Sequence, residues 1–189
     1  MNNQTLEVVD EIKLLGVKIT TDLKWNSNTK YITTKAYSRL WMIRRLKLLG
    51  ASYSELVDCY TKQARSILEY CAVVWHAGLS QINSGDIERV QKAACSIILG
   101  KHYNSYKTAL STLGLDRLDE RREALSSKFA RKAFKSQKYA NWFVKDTNIS
   151  NTRREVKTVK EAHCRTKRLP KSALPYLTHI LNALPKKIP

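Results

Sequence analysis

The hydrophobic residues of this chain recur mainly at helical spacing. Ala36, Leu40 and Ile43 fall at positions i, i+4 and i+7, which predicts a helix over residues 28–49. Gly50 follows directly, and a glycine just past the last turn is typical of a helix end.

A second helix is predicted from about residue 52 to His76. Ser52 and Glu55 have the spacing of a capping box, in which each side chain accepts a backbone N–H of the first turn. The apolar stripe of this helix comprises Leu56, Tyr60, Ala64, Ile67, Cys71 and Val74.

Three further helices are predicted before residue 138. The third begins at Ser84 or Gly85 and ends at Gly100, and the fourth covers about residues 105–113. Asp116 can cap a fifth helix, whose apolar side would carry Leu118, Leu125 and Phe129. Residues 145–172 are predicted to form a flexible basic linker, and Ala173–Leu184 a short terminal helix.

The N-terminal region has the alternation of a β-strand over residues 12–19. One face carries Leu15, Val17 and Ile19, and the other carries Ile12 and Leu14. Gly16 marks a bend or a close backbone approach. The predicted fold is therefore mainly α, a helical bundle with a short N-terminal β-strand or hairpin and a flexible basic C-terminal tail.

Several of these segments resemble one protein family. Ile12–Ile19 with the following Asp22-Leu23-Lys24-Trp25 is similar to the segment (F/I)K-Y/L-LG-V … D-x-L-x-W, which closes the palm of non-LTR retrotransposon reverse transcriptases. Later segments resemble further motifs of the same family, in the same order and over nearly the whole chain. They are Tyr37–Leu46 (R-L-x-x-L-R-R-L), Ile67–Trp75 (L-x-Y-C-x-x-V-W), Ile87–Ala94 (L-E-x-x-Q-K-x-A), Leu113–Leu115 with Arg121-Arg122 (L-G-L … R-R), and Leu174–Asn182, similar to the end of CR1 and jockey-like reading frames.

The resemblance implies a role in holding nucleic acid. It implies a primer-grip-like segment over residues 1–25, a helical thumb-like domain over 26–137 and a basic C-terminal linker over 138–189. In that family these parts hold the template–primer duplex, and the fingers and palm carry the catalytic site. The implied partners are an RNA–DNA or DNA duplex, bound without sequence specificity, and the fingers and palm of the same polymerase.

The charge of the chain agrees with an anionic partner. It has 34 Lys and Arg against 16 Asp and Glu, a net charge of +18, and nucleic acid is the commonest extended polyanion that such a protein meets. The candidate nucleic-acid-binding residues lie on the first helix and the strand before it. They are Lys13, Lys18, Lys35, Arg39, Arg44, Arg45 and Lys47. Lys13 and Lys18 are implied by the resemblance, through the matched Leu15-Gly16 pair.

The aromatic residues around these cations are assigned to the core. They are Trp25, Trp41, Tyr70 and Trp75. A contact of Trp41 with nucleic-acid sugars is the alternative.

The sequence favours binding over catalysis. It holds no adjacent Asp-Asp pair, whereas polymerases of this family use such a pair to hold two metal ions. The carboxylates of Asp116, Asp119, Glu120 and Glu123 cluster at a helix start, where negative charge stabilises the helix. Cysteine and histidine lack zinc-finger spacing, and no glycine-rich phosphate loop occurs. We expect no enzymatic activity and no cofactor in this chain, with Mg²⁺ acting only in a complete polymerase.

The spacing of the cysteines and the hydropathy of the chain indicate the cellular compartment that we expect for the protein. Cys59 and Cys71 would lie about 18 Å apart on the predicted second helix, too far for a disulfide, which favours reduced thiols. No segment approaches the roughly 20 apolar residues that cross a bilayer. We expect an intracellular, nuclear and cytoplasmic protein without a membrane partner.

Two other interpretations stay open. Such segments also resemble a short N-terminal domain of AlkB-like RNA-modifying dioxygenases, but none of the four histidines has the aspartate two positions later that an H-x-D … H iron site needs. The chain could also be the remnant of an element that has lost its role.

Overall fold

The computed structural model describes residues 8–144, 159–161, 163, 165–166 and 168–183. Their contacts divide them into two compact units. The first unit comprises the residues up to Tyr70 together with Leu79–Leu118. The second comprises Cys71–Gly78 and the described residues from Asp119 onward.

The predicted fold class is confirmed, because the described residues are mainly helical and carry one two-stranded antiparallel hairpin. The strands are β1 (Glu11–Leu14) and β2 (Val17–Thr20). The helices are α1 (Asn26–Leu48), α2 (Tyr53–Tyr60), α3 (Ser66–Glu69), α4 (Ala72–Trp75), α5 (Gln81–Leu99), α6 (Tyr106–Leu113), α7 (Leu118–Lys135) and α8 (Ala173–Ala183).

The predicted strand over residues 12–19 is folded back on itself as the hairpin. Leu15 and Gly16 have φ values of 46° and 87°, the pair of positive φ angles that a type I′ turn requires. The predicted alternation along one continuous strand is therefore wrong, and Leu15 is 82% exposed. A Cβ on Gly16 would lie 3.3 Å from the Tyr70 ring, and the Tyr70 hydroxyl donates to the Leu15 carbonyl at 2.9 Å. Gly16 thus supplies both a bend and a close approach, as predicted.

Helix α1 ends where the sequence indicates. Gly50 has a φ of 84°. The amide of Ala51 donates to the Leu46 carbonyl and that of Gly50 to the Lys47 carbonyl, each at 3.1 Å, which is the Schellman pattern. The predicted inward positions Ala36, Leu40 and Ile43 are buried.

The predicted second helix begins as expected but does not continue to His76. The capping box is present: the Glu55 amide donates to the Ser52 hydroxyl at 3.4 Å, and the Ser52 amide donates to the Glu55 carboxylate at 2.8 Å. After α2, Thr61–Arg65 forms a π-helical turn, and the chain leaves the helix at Tyr70-Cys71, where Cys71 has a φ of 51°.

The π-helical turn changes which residues of this region are buried. The buried positions are Leu56, Tyr60, Ala64, Leu68, Ala72 and Trp75. Residues spaced by four positions are rotated by about 40° relative to each other around an α-helix. A π-helical turn has more residues per turn, so it reduces that rotation and keeps such residues on one face. The predicted inward positions Ile67, Cys71 and Val74 are therefore wrong, because the register is displaced by one residue.

Helix α5 starts earlier than predicted. Its N-cap is Ser80, whose hydroxyl accepts the Asn83 amide at 3.1 Å, so Ser84 and Gly85 lie within the helix. Its end at Gly100 and that of α6 at Gly114 are confirmed, with φ values of 57° and 63°.

Gln91 is the centre of a polar network inside the first unit. It is fully buried. Its Oε1 accepts from the Tyr60 hydroxyl at 2.7 Å, and its Nε2 donates to the Tyr106 hydroxyl and to the Asp116 carbonyl, both at 2.9 Å. The side-chain amide of Gln91 therefore joins α2, α5, α6 and the segment before α7.

Glu88 extends this network by one turn of α5. Its carboxylate accepts from the Tyr106 hydroxyl and from the Leu118 amide, the latter at 3.2 Å. Because Leu118 begins α7, a negative charge lies at that helix N-terminus, where it is stabilising.

Helix α7, which belongs to the second unit from Asp119 onward, buries a different set of residues from the one predicted. Leu118 is buried, but Leu125 and Phe129 are only half-buried. The other buried positions of α7 are Arg122, Ser126, Ala130 and Ala133.

Arg122 is buried because its guanidinium group lies against apolar and polar partners. The group is 5.9 Å from the centre of the Trp75 ring, and its Nε donates to His76 Nδ1 at 3.4 Å. Hydrophobic periodicity cannot predict such a position, because it treats arginine as an outward residue.

Helix α8 confirms the predicted terminal helix, although Leu184 lies outside the described residues. It packs in a cluster of Ala130, Ala133, Phe143, Val159, Leu177, Ile180 and Leu181. The Asn182 side chain pairs with the backbone N–H and C=O of Val159, each at 3.0 Å. Val159 is therefore packed, which corrects the prediction of a linker at that position. Residues 145–158 of the predicted linker lie outside the described residues.

We expect the stability of the folded chain to fall as the pH drops from about 6.5 to 4. Burial, followed by the charge of Arg122, lowers the pKa of His76 to about 4, whereas an unfolded histidine has a pKa near 6.5. The unfolded chain then binds more protons within this range, so acid favours unfolding. The loss should be roughly 2–3 kcal/mol. This is less than the full difference in pKa would give, because His76 is partly exposed and solvent screens its charge.

The measurement is urea unfolding at several pH values for the native chain and for His76→Gln. The native chain should lose stability relative to the variant between pH 6.5 and 4. Parallel profiles for the two proteins would contradict the prediction.

Candidate nucleic-acid interface

The hairpin places two of the candidate cations side by side. In its register Lys13 lies opposite Lys18, and Leu14 opposite Val17. Residues directly opposite in an antiparallel pair point to the same face, so the two lysines share one face. Like charges at such positions repel each other, and this arrangement therefore favours an external anion.

A third candidate cation comes from α1, and all three surround Tyr31. The ammonium nitrogens of Lys13, Lys18 and Lys35 lie 4.9, 5.7 and 6.0 Å from the centre of the Tyr31 ring, within the range of cation–π attraction. A hydrogen bond with Lys13, together with the charges of the three lysines, lowers the pKa of the Tyr31 hydroxyl. We name Lys13, Lys18, Lys30 and Lys35 the lysine cluster. Three of its members, Lys13, Lys18 and Lys35, are organised around the Tyr31 ring.

Lys30 joins this group through a surface groove of about 490 Å³. The groove is lined by Lys18, Ser27, Lys30, Tyr31, Thr34, Lys35 and Ser38. Ammonium and hydroxyl groups are donors that suit phosphate oxygens. An exposed phosphate chain is therefore a chemically matched occupant.

Glu11 is the carboxylate next to this groove. It forms an ion pair with Lys18 and accepts from the Ser27 hydroxyl. The hydrogen bond from Lys18 is the main cause that lowers the pKa of Glu11. An incoming phosphate would compete with Glu11 for Lys18, whereas Lys13 and Lys35 face the ring of Tyr31.

The remaining candidate residues are not part of the lysine cluster. Arg39, Arg44 and Arg45 are exposed further along α1. Lys47 is only half-exposed, and its ammonium group donates to the Ile97 carbonyl at 2.6 Å. That carbonyl lies in the last turn of α5, where a cation is stabilising, so the structure gives Lys47 a role in the fold.

Two aromatic assignments are corrected by the structure. Trp41 is 55% exposed and Tyr70 is 51% exposed, so neither is a core residue. Trp25 is half-buried, and Trp75 is buried as predicted. Aromatic composition alone does not show which face of α1 is covered by its neighbours.

Sequence reasoning missed Tyr31 and Lys30. The available signal was the spacing of Tyr31 and Lys35, which lie four residues apart and therefore adjoin on a helix. The hairpin register was needed to bring Lys13 and Lys18 to the same place.

Helix α7 carries a second basic surface. A groove of about 650 Å³ is lined by Ala124, Ser127, Lys128, Arg131, Lys132 and Lys135. These cations all come from one helix, whereas the lysine cluster draws on both strands of the hairpin and on α1.

The described residues provide little for other kinds of chemistry. Among them, no group of three or more His, Cys, Asp or Glu side chains is close enough to hold a metal ion. Cys59, Cys71 and Cys95 are free thiols. Asp119 and Glu120 lie in the first turn of α7, as the helix-start interpretation of these acids expects. In the part of the chain that the structure describes, no helix combines the length and apolarity needed to cross a bilayer.

Comparison with known proteins gives no relative: no family model, no curated protein and no solved structure matches this chain.

Proposed function

We propose that this chain binds the sugar–phosphate backbone of a nucleic-acid duplex through the lysine cluster and the exposed arginines of α1. The observation that carries the proposal is the convergence of Lys13, Lys18 and Lys35 around Tyr31 beside a groove lined with hydroxyl groups. Backbone contacts of this kind give affinity with little sequence discrimination.

The resemblance to non-LTR reverse transcriptases gives this binding a role. In that role the hairpin is the primer grip and the helices after it are the thumb, and both hold an RNA–DNA or DNA duplex for a palm that carries the catalytic carboxylates. The chain contributes binding and no chemistry, and Mg²⁺ belongs to the palm. The sequence supports this division because it contains no adjacent Asp-Asp pair.

The proposal predicts that Lys13→Gln/Lys35→Gln weakens duplex binding. Each phosphate contact contributes about 0.9 to the slope of log K against log salt, so two lost contacts should reduce its magnitude by about two. If these contacts vanish near 1 M salt, the loss in affinity at 50 mM is roughly 200-fold. The measurement is fluorescence anisotropy of a labelled 20-base-pair RNA–DNA duplex between 50 and 400 mM salt.

A matched double variant tests whether the loss of affinity depends on the lysine cluster or only on net charge. Lys101→Gln/Lys107→Gln removes two exposed lysines elsewhere in the same unit and should change affinity only a few-fold. Equal losses in the two double variants would refute the lysine cluster as the site. A larger loss for Lys128→Gln/Lys132→Gln would assign duplex binding to α7 instead.

A further inference from the structure

The outward side of α1 carries two exposed aromatic residues one helical turn apart. Tyr37 is 43% exposed and Trp41 is 55% exposed, and their spacing of four residues places them about 6 Å apart along the helix axis. Two exposed aromatic rings one turn apart present flat apolar faces that a partner can cover.

The charge of α1 indicates what such a surface meets. The helix contains six Lys and Arg residues and no Asp or Glu. Arg44 and Arg45 are exposed within the turn that follows Trp41. Flat aromatic rings among cations match a chain that alternates flat bases with phosphates, as in proteins that bind single strands.

The aromatic pair also lies close to the lysine cluster on the same helix. Tyr37 follows Tyr31 by about 9 Å along the axis and Trp41 by about 15 Å. At about 3.4 Å per nucleotide in a stacked strand, this distance corresponds to about three to five nucleotides. At 100° per residue, Trp41 also lies about 80° and Tyr37 about 120° around the helix from Tyr31. A strand that contacts the lysine cluster and then the two rings would therefore cross α1 obliquely.

We propose that Tyr37 and Trp41 stack on the bases of an unpaired stretch of nucleic acid that adjoins the duplex held at the lysine cluster. The inference rests on the proposed function and specifies its ligand as a junction between duplex and single strand. Stacking on aromatic rings tolerates any base, because every base has a flat face.

The test compares two labelled 12-nucleotide strands at 50 mM salt, one with bases and one in which every nucleotide is abasic. The native chain should bind the strand with bases at least about tenfold more tightly. Trp41→Ala should remove most of that preference. It should leave affinity for the abasic strand and the salt slope unchanged, because no charge is removed. Tyr37→Ala should act in the same direction.

Tyr53→Ala is the matched control, because Tyr53 is 44% exposed and lies on α2. It should leave both affinities unchanged. Thermal unfolding of each variant verifies that the exposed substitutions preserve the fold.

The outcomes separate this inference from the proposed function. If the native chain binds both strands equally, or Trp41→Ala weakens both equally, base stacking is wrong and phosphate binding stands. If it binds neither strand nor the RNA–DNA duplex, both proposals fail. If Trp41→Ala dissociates an oligomer in sedimentation without changing affinity for nucleic acid, this face is a contact between copies of the chain, and the inference is overturned.

Discussion

Replacing Gln91 with leucine is expected to lower the free energy of unfolding by about 2–3 kcal/mol. The fully buried amide of Gln91 is the hydrogen-bond partner of Tyr60, Tyr106 and the Asp116 carbonyl. Leucine would leave the buried Tyr60 hydroxyl without this partner, and a buried polar group that loses its partner costs about 1–3 kcal/mol. Tyr106 retains its hydrogen bond to Glu88.

Urea unfolding followed by far-UV circular dichroism measures this loss. Gln81→Leu makes the same chemical change at the exposed first residue of α5 and should change stability by less than about 0.5 kcal/mol. Equal stability of the two variants would show that the network contributes nothing.

Replacing Trp75 with alanine is expected to cost about 3–5 kcal/mol. Trp75 is fully buried, and its ring lies against the Arg122 guanidinium group. Alanine leaves a cavity in the second unit and removes the aromatic face beside a buried charge. Trp75→Phe should cost less, because it retains an aromatic ring.

The control for this prediction is Trp41→Ala, the same substitution at an exposed position. It should change the free energy of unfolding by less than about 0.5 kcal/mol. A loss below 1 kcal/mol for Trp75→Ala would mean that the ring is not part of a packed core.

Helix ends were the most predictable part of the fold. Gly50, Gly100 and Gly114 each follow the last turn of a helix with positive φ, a conformation that glycine adopts without strain. Ser52 and Glu55 form the predicted capping box. These signals are local, and they depend on the chemistry of a few neighbouring residues.

The division of the predicted second helix could not be seen in the sequence. An apolar stripe spaced by three and four residues fits a long helix as well as a helix that contains a π turn and a break. The left-handed conformation of Cys71 has no sequence signal, because non-glycine residues rarely adopt it.

The candidate site was predicted only in part. The sequence identified Lys13, Lys18 and Lys35 as candidates, but it did not indicate that they meet at Tyr31. That meeting depends on the hairpin register and on the way the hairpin lies against α1, both of which are tertiary features. Lys47 was also a candidate because it lies on a basic helix. The sequence did not indicate that its ammonium group contacts the end of α5 instead.

Several residues that carry the family resemblance lie inside the fold. Glu88 and Gln91 form the polar network, and Trp75 and Arg122 pack against each other. Similarity at these positions concerns the architecture of the helices. The proposed binding role concerns surface residues instead, and the variants described above test it separately.

The opposed lysines of the hairpin make ionic strength act in two contrary ways. In the free protein, dissolved ions screen the repulsion between Lys13 and Lys18 over a Debye length of about 10 Å at 0.1 M, and they also screen the attraction between Lys18 and Glu11. In the proposed complex, the same ions would compete with phosphate for both ammonium groups. Phosphate would add a second counter-charge beside Glu11 for these lysines, and this contribution is largest in dilute salt.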